Sequence, residues 1–84
     1  MIPLLGFLQG DSLGLLVFAQ DTDTIKDIAR RLQKAANVRV AASDATMLYH
    51  KGKLLPDESL VKDIGFHLLD RIDVRTDDRA MGKT

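Results

Sequence analysis

The side chains in this sequence that could do chemistry are two histidines, three serines and several neighbouring pairs of carboxylates. Zinc sites in proteins use Cys and His ligands at characteristic spacings. The chain has no cysteine, and His50 and His67 do not stand at a metal-ligand spacing on one helix. We therefore expect no metal site, with His50 at the end of a strand and His67 in a loop.

Nucleophilic catalysis needs a hydroxyl beside a base that a third group orients. The three serines lie in segments with the character of turns or helix starts: Ser12, Ser43 and Ser59. No acidic residue stands out in the sequence as an orienting partner for either histidine. The sequence therefore predicts no nucleophile and base pair.

Three pairs of carboxylates are close in sequence: Asp21 with Asp23, Asp57 with Glu58, and Asp77 with Asp78. General acid–base catalysis requires burial or a shared proton that shifts a carboxylate pKa. These pairs lie at a helix cap, a turn and a polar tail, where we expect solvated side chains. We therefore predict no catalytic residue, no cofactor and no small-molecule substrate, so that the isolated chain is not an enzyme.

Composition limits the partners and the compartment. The 84-residue chain has 12 basic and 12 acidic residues, and so lacks the positive surplus that nucleic-acid binding needs. No run approaches the roughly 20 apolar residues of a membrane span. The opening MIPLLGFLQG also lacks the basic start of a signal peptide. With no cysteine, this pattern favours a cytoplasmic protein that binds neither nucleic acid nor membrane.

Two apolar runs at the start of the chain predict a β-hairpin. Residues 2–9 and 12–20 are rich in Leu, Val and Phe, and Gly10-Asp11 between them suits a two-residue turn. The two strands are therefore expected to be antiparallel neighbours. Counting outward from the turn gives these pairs on one face, which we expect to meet a helix: Leu8 with Leu13, Gly6 with Leu15, Leu4 with Val17, and Ile2 with Ala19.

A helix is predicted to begin at Ile25 and to end near Asn37. The segment before it is rich in capping residues, and Thr24 with Asp27 approximates a capping box. Apolar residues recur at the spacing of one helical face: Ile25, Ile28, Ala29, Leu32, Ala35 and Ala36. This stripe is expected to lie on the core.

The second half of the chain predicts short elements separated by turns. A loop containing Val38-Arg39-Val40 leads to a strand at about residues 46–50, a turn at 51–53 and an extension at Leu54-Leu55. Pro56 opens a turn and a brief helix through Asp63, which Gly65 is placed to end in a left-handed conformation. Residues 71–75 alternate, so Ile72 and Val74 are expected to face inward on a last strand.

This order of elements predicts an α+β fold in one domain at residues 1–76, followed by a disordered tail at residues 77–84. The chain resembles ubiquitin in Thr24-Ile25, in Gly52-Lys53-Leu54-Leu55 and in the stretch from Ser59-Leu60 to Val74. The resemblance implies a ubiquitin-like β-grasp fold, a mixed sheet with one main helix packed across one face.

A second resemblance covers most of the chain. Its motifs are Ile2-Pro3, Arg39-Val40-Ala41, Asp63-Ile64-Gly65-Phe66 and Asp73-Val74. In these the chain is similar to the small ubiquitin-like subunit, gamma or B, of toluene-monooxygenase-type diiron hydroxylases.

That resemblance implies a function in aromatic hydrocarbon catabolism. The chain would be a non-catalytic accessory subunit that docks on the large diiron subunit of a multicomponent, toluene- or alkene-type monooxygenase. The iron, the oxygen activation and the substrate pocket would then belong to the partner.

The second face of the predicted hairpin is unexpectedly apolar. A hairpin covered by a helix on one side should alternate apolar and polar residues if its other side met water. Here the other side holds Pro3, Leu5, Phe7, Gly14, Leu16 and Phe18. Met47 and Tyr49, if outward on the third strand, extend this face. We therefore predict that Pro3, Leu5, Phe7, Leu16, Phe18 and Tyr49 bind a partner.

Two other functions stay open on sequence grounds. A ubiquitin-like modifier or sulfur carrier needs a C-terminal Gly-Gly, whereas this chain reads Ala80-Met81-Gly82-Lys83-Thr84. A freestanding bacterial ubiquitin-like adaptor, for example in secretion or signalling and unrelated to oxygenases, has no sequence feature against it. The identity of the partner separates this adaptor from a monooxygenase subunit.

Overall fold

The computed structural model describes residues 1–37 and 46–76, and in them the elements follow the predicted order. The strands and helices are β1 (Ile2–Leu8), β2 (Gly14–Ala19), α1 (Ile25–Ala35), β3 (Thr46–His50), β4 (Lys53–Leu55), α2 (Val61–Ile64) and β5 (Arg71–Thr76). The third strand has the predicted bounds. The predictions of a loop at residues 38–40 and of a disordered tail at residues 77–84 concern residues outside these ranges.

The five strands form one mixed sheet in the order β2-β1-β5-β3-β4. The first and last strands, β1 and β5, are parallel neighbours at its centre, and the other pairs are antiparallel. The predicted hairpin register is confirmed where Leu4 pairs with Val17 and Ile2 with Ala19. With α1 on one side, this is the expected α+β ubiquitin-like arrangement.

The turn of the first hairpin differs from the prediction. The Asp11 N–H donates to the Leu8 carbonyl at 2.9 Å, and Gly10 has a φ of 90°, so Gln9 and Gly10 are the central residues of the turn. Glycine is favoured there because it adopts positive φ without steric cost. The second strand consequently starts at Gly14, and the predicted pairing of Leu8 with Leu13 does not form part of the ladder.

Helix α1 begins at a complete capping box. The Asp27 N–H donates to the Thr24 hydroxyl at 3.1 Å, and the Thr24 N–H donates to the Asp27 carboxylate at 3.0 Å. The predicted stripe is buried except at Ala35, which is exposed, while Gln33 is buried. A Cβ at Gly6 would lie 3.0 Å from both methyl carbons of Leu32, so this glycine lets α1 approach β1 closely.

The core lies between α1 and the inner side of the sheet. Ile72 and Val74 of β5 are buried as predicted, and Gly65 ends α2 with a φ of 78°. The other buried apolar residues are Leu4, Leu8, Val17, Ala19, Ile25, Ile28, Ala29, Leu32, Ala36, Leu48, Leu55 and Val61. In the described ranges no helix is long and apolar enough to cross a membrane.

Candidate docking face on the outer side of the sheet

The hairpin side that faces away from α1 carries six of the residues singled out in the sequence. Strand alternation and the observed register place them together. We call Pro3, Leu5, Phe7, Gly14, Leu16 and Phe18 the outer hairpin face. Leu16 is 53% exposed and Phe18 is 47% exposed, whereas Pro3, Leu5 and Phe7 are half-buried. The structure therefore brings these residues into one apolar surface.

The ring of Phe7 is fixed in the middle of the outer hairpin face. A Cβ at Gly14 would lie 2.8 Å from the Phe7 ring. The ring therefore occupies space that is free because Gly14 has no side chain. The Arg71 guanidinium lies over the ring, 4.2 Å from its centroid. Such a cation–π contact contributes about 0.5–1 kcal/mol at an exposed site. Part of this face is therefore ordered before any partner arrives.

A charged strip on β5 separates Tyr49 from the outer hairpin face. The outward residues of β5 are Arg71, Asp73 and Arg75, and an Arg71 Nη2 lies 3.0 Å from an Asp73 carboxylate oxygen. On the far side of this strip the Arg75 guanidinium lies 5.3 Å from the centroid of the Tyr49 ring. Sequence alternation predicted outward side chains on the last strand but did not show that this strand lies between β1 and β3.

Tyr49 belongs to a second apolar area on β3 and β4. Met47 and Tyr49 both point outward, and the Tyr49 hydroxyl lies 3.9 Å from the Met47 sulfur. Leu54 of β4, directly opposite Tyr49, is 49% exposed. Met47 and Tyr49 therefore lie outward on the same side of the sheet as the outer hairpin face, but the charged strip separates them from it, so they do not continue that face directly.

Two exposed leucines follow α2, Leu68 and Leu69, and the backbone of Leu69 lies beside Pro3 near the start of β1. The Leu69 N–H donates to the Pro3 carbonyl at 2.8 Å, and Leu69 adopts a φ of 60°. A bulky residue in this left-handed region costs on the order of 1 kcal/mol. The side chains of Leu68 and Leu69 are 69% and 54% exposed. Sequence reasoning missed this pair, because the segment has neither helix nor strand periodicity.

Both histidines lie beside Asp70, contrary to the sequence-based expectation of no orienting acid. A carboxylate oxygen of Asp70 is 3.0 Å from His50 Nε2 and 3.8 Å from His67 Nδ1. The hydrogen bond from the backbone N–H of His67 lowers the pKa of Asp70, and the hydrogen bond with the His50 side chain lowers it further. As predicted, His50 ends a strand and His67 lies in a loop.

The Asp70 cluster contains contacts suited to holding the loop after α2. The Phe66 ring packs edge-on against His50 with centroids 4.7 Å apart, and the His67 N–H donates to Asp70 at 2.8 Å. Within residues 1–37 and 46–76 no group of three or more His, Asp or Glu side chains could hold a metal ion. The contacts of this cluster join the loop after α2 to β3, and the outer side of the sheet stays the candidate functional surface.

The family model for toluene-4-monooxygenase system protein B matches residues 1–75. This chain belongs to that family. The sequence motifs that carried the resemblance, from Ile2-Pro3 to Asp73-Val74, lie within the matched range. Membership makes the chain an accessory subunit of a monooxygenase hydroxylase, as the resemblance had implied.

Solved structures support the fold of this family member. It is similar, with a TM-score of 0.82 and 21% identity over 90% of this chain and 98% of the other, to a chain of a toluene 4-monooxygenase HD complex with the inhibitor 4-bromobenzoate. A chain of the structure of AtBAG1 in complex with HSP70 is similar with a TM-score of 0.75 and 10% sequence identity. The likeness covers 92% of this chain and 41% of the other. No curated protein sequence matches the chain significantly.

A third structure carries the ubiquitin-like character. It is described as molecular mimicry of SUMO that promotes DNA repair, and it gives a TM-score of 0.70 with 22% identity over 87% of this chain and 88% of the other. At such identities these likenesses establish the fold alone. The predicted ubiquitin-like β-grasp class is thereby confirmed.

Proposed function

We propose that this accessory subunit is non-catalytic and docks on the large diiron subunit of a toluene- or alkene-type monooxygenase hydroxylase through its outer hairpin face. Family membership supports the kind of complex. Among residues 1–37 and 46–76, no group of three or more His, Asp or Glu side chains could hold a metal ion, which supports a binding role for this part of the chain. Iron and oxygen activation are then functions of the partner.

The observation that carries this proposal is the exposure of Leu16 and Phe18 within an apolar surface. An antiparallel sheet with one side in water normally alternates apolar and polar residues. Here 53% of Leu16 and 47% of Phe18 are exposed beside the half-buried Leu5 and Phe7. A contiguous exposed apolar patch of this kind marks an interaction surface.

Charge placed at Leu16 and Phe18 tests the proposal. About half of each side chain is still open to burial, which is worth on the order of 1 kcal/mol each, and a buried carboxylate adds a desolvation cost. Leu16→Asp together with Phe18→Asp is therefore expected to weaken binding to the hydroxylase by at least about thirtyfold. Co-purification and titration of the hydroxylase would measure this effect.

Two controls separate docking from folding. Leu13→Asp places one such charge at a leucine that is 49% exposed but lies between the turn and β2, outside the outer hairpin face, so binding should be retained. Val17→Asp places a charge in the core, where Val17 is only 3% exposed, and should unfold the chain by circular dichroism. Normal binding of the double variant, or unfolding as complete as that of Val17→Asp, would contradict the docking assignment.

A further inference from the structure

The free edge of the sheet coincides with the outer hairpin face. Within residues 1–37 and 46–76, strand β2 pairs with β1 alone, so its other side is an edge of the sheet. The Leu69 N–H donates to the Pro3 carbonyl at 2.8 Å, and the Leu5 N–H donates to the Asp70 carbonyl at 2.9 Å, so these β1 residues direct their backbone bonds toward β5. Their partners on β2, Phe18 and Leu16, therefore direct their N–H and C=O groups away from β1.

Gly14 belongs to the same set of edge residues. It lies opposite Phe7, two residues beyond Leu5, and backbone bonding direction repeats every second residue in an antiparallel ladder. The backbone groups of Gly14, Leu16 and Phe18 consequently face the open side of β2. The side chains of Leu16 and Phe18 lie on the outer hairpin face, so one short stretch offers both backbone and apolar contacts.

Side chains close one end of this edge. There Arg31 Nη1 donates to the Phe18 carbonyl at 2.8 Å, and the Gln20 N–H donates to an Asp23 carboxylate oxygen at 2.8 Å. Arg31 and Asp23 are themselves paired at 2.8 Å. These side chains occupy positions that the backbone of a neighbouring strand would otherwise fill.

The middle of the edge is left open. In the described ranges, the N–H and C=O groups of Gly14 and Leu16 and the N–H of Phe18 have no hydrogen-bond partner. Exposed edge strands are normally protected by charged residues, proline or a bulge. The β2 sequence GLLVFA has no charged residue and no proline, and its register with β1 runs without interruption. The middle of β2 is therefore competent to pair with another strand.

We propose that an extended segment of the hydroxylase partner adds to β2 as a sixth strand and forms backbone hydrogen bonds with Gly14, Leu16 and Phe18. This inference rests on the proposed docking function and specifies how docking occurs. The segment has no proline at its paired positions, and its apolar side chains cover Leu16 and Phe18. It ends before Arg31, which already occupies the Phe18 carbonyl.

A second copy of this chain fits the edge less well than a partner segment. Two β2 strands related by a twofold axis at Leu16 would set the Gly14 N–H of each copy against the Phe18 carbonyl of the other. Both of those carbonyls already accept from Arg31. An unrelated segment meets the Arg31 and Asp23 pair at one end only, and so can use the whole open stretch.

Residue-resolved hydrogen exchange of the full chain, free and in the hydroxylase complex, tests the added strand. The amides of Gly14, Leu16 and Phe18 should exchange quickly in the free chain and at least about tenfold more slowly in the complex. The amides of Leu15, Val17 and Ala19 bond to β1 and should be protected in both states, which provides an internal control.

Leu16→Pro and Leu16→Ala form a matched pair for the same test. Both shorten the apolar side chain, alanine more than proline, but only proline removes the outward N–H and blocks strand addition, while the bonds to β1 stay intact. We expect Leu16→Pro to bind the hydroxylase at least about tenfold more weakly than Leu16→Ala. Circular dichroism would verify that both variants fold, and hydrogen exchange decides the question if the proline variant does not.

Two outcomes would overturn the added strand. If the three edge amides exchange as fast in the complex as in the free chain, no strand is added, even if Leu16→Asp with Phe18→Asp abolishes binding and the docking face itself is supported. If the same amides become protected in the isolated chain as its concentration rises, the occupant is a second copy rather than the hydroxylase.

Discussion

The Asp23 residue joins three elements of the fold. Its carboxylate accepts from the Gln20 N–H after β2 and from Arg31 of α1, both at 2.8 Å. Its carbonyl accepts from the Val61 N–H at the start of α2, also at 2.8 Å. The hydrogen bond from Arg31 is the largest cause that lowers the pKa of Asp23 below its ordinary value of 3.8. The charged form of Asp23 therefore stabilises the folded chain.

Replacing Asp23 by Asn is expected to have an effect that depends on pH. The loss at neutral pH should be about 0.5–1 kcal/mol, because Arg31 is 43% exposed and solvent screens the pair. A lowered folded pKa gives stability that is present above the unfolded pKa of about 3.9 and is lost as pH falls through the folded value. Urea unfolding at about pH 7 and about pH 2 should show the Asp23→Asn deficit shrinking in acid.

Asp21 provides the comparison for that experiment. It is exposed and lies two residues away, outside the Asp23 and Arg31 pair. Asp21→Asn should cost less stability than Asp23→Asn at neutral pH. An equal deficit of Asp23→Asn at both pH values would mean that the carboxylate charge does not contribute to stability.

Residue-level predictions succeeded where the determining contacts are local. The Thr24 and Asp27 box lies within four residues, so the sequence contains all of it. The contact of His50 with Asp70 spans 20 residues and depends on β3 and β5 being neighbours. No pattern in the sequence fixes that adjacency, and the acid beside His50 was therefore missed.

At the scale of elements, Gly6 sets how closely α1 lies on β1. Gly6→Ala would put a Cβ 3.0 Å from two methyl carbons of the fully buried Leu32. A Gly→Ala change at a compatible site normally stabilises a protein slightly. Here we expect a loss of about 1–3 kcal/mol from overpacking, measured by urea unfolding.

A double-mutant cycle identifies the cause of that loss. Leu32→Ala alone should destabilise the chain by about 2–5 kcal/mol through the cavity it leaves. Once Leu32 is shortened, the added methyl at position 6 has room, so the double variant should lose less stability than the sum of the single variants. Additive losses would show that Gly6 is not required for contact with Leu32.

Element-level predictions divide in a similar way. Alternation in two adjacent strands fixed the hairpin register, and hence the buried and outer faces, because β1 and β2 are neighbours in sequence. Strand order could not be derived, since β5 reaches the centre of the sheet from the far end of the described chain. For this reason the outer hairpin face was predicted, whereas the charged strip that divides it from Tyr49 was not.

At the scale of the whole molecule, the proposal of a non-catalytic subunit makes a direct claim about metal content. The tag-free chain, purified without the hydroxylase, is expected to retain substoichiometric iron and zinc and to turn over no aromatic substrate. The physical reason is that its described side chains offer no group of three His, Asp or Glu ligands. Elemental analysis and an oxygen-uptake assay would measure this, with the assembled hydroxylase as positive control.

A stoichiometric metal in the isolated chain would contradict that claim. Such a result would require ligands from the segments at residues 38–45 and 77–84, which contain Asp44, Asp77 and Asp78. Asp→Asn changes at these three positions would then locate the metal. Iron that appears only when the hydroxylase co-purifies would agree with an accessory role.

The parallel pairing of β1 with β5 also bears on how the chain is made. The ribosome produces residues 2–8 long before residues 71–76, and β1 cannot complete its side of the sheet until β5 arrives. Until then the nascent first hairpin carries apolar residues on both faces, with neither the sheet centre nor its neighbours in place. Pairings between distant segments form slowly and leave such strands open to association with other chains. During synthesis of this subunit there is thus an interval in which the apolar strands β1 and β2 are exposed to association with other chains, and it ends when β5 is made and pairs with β1.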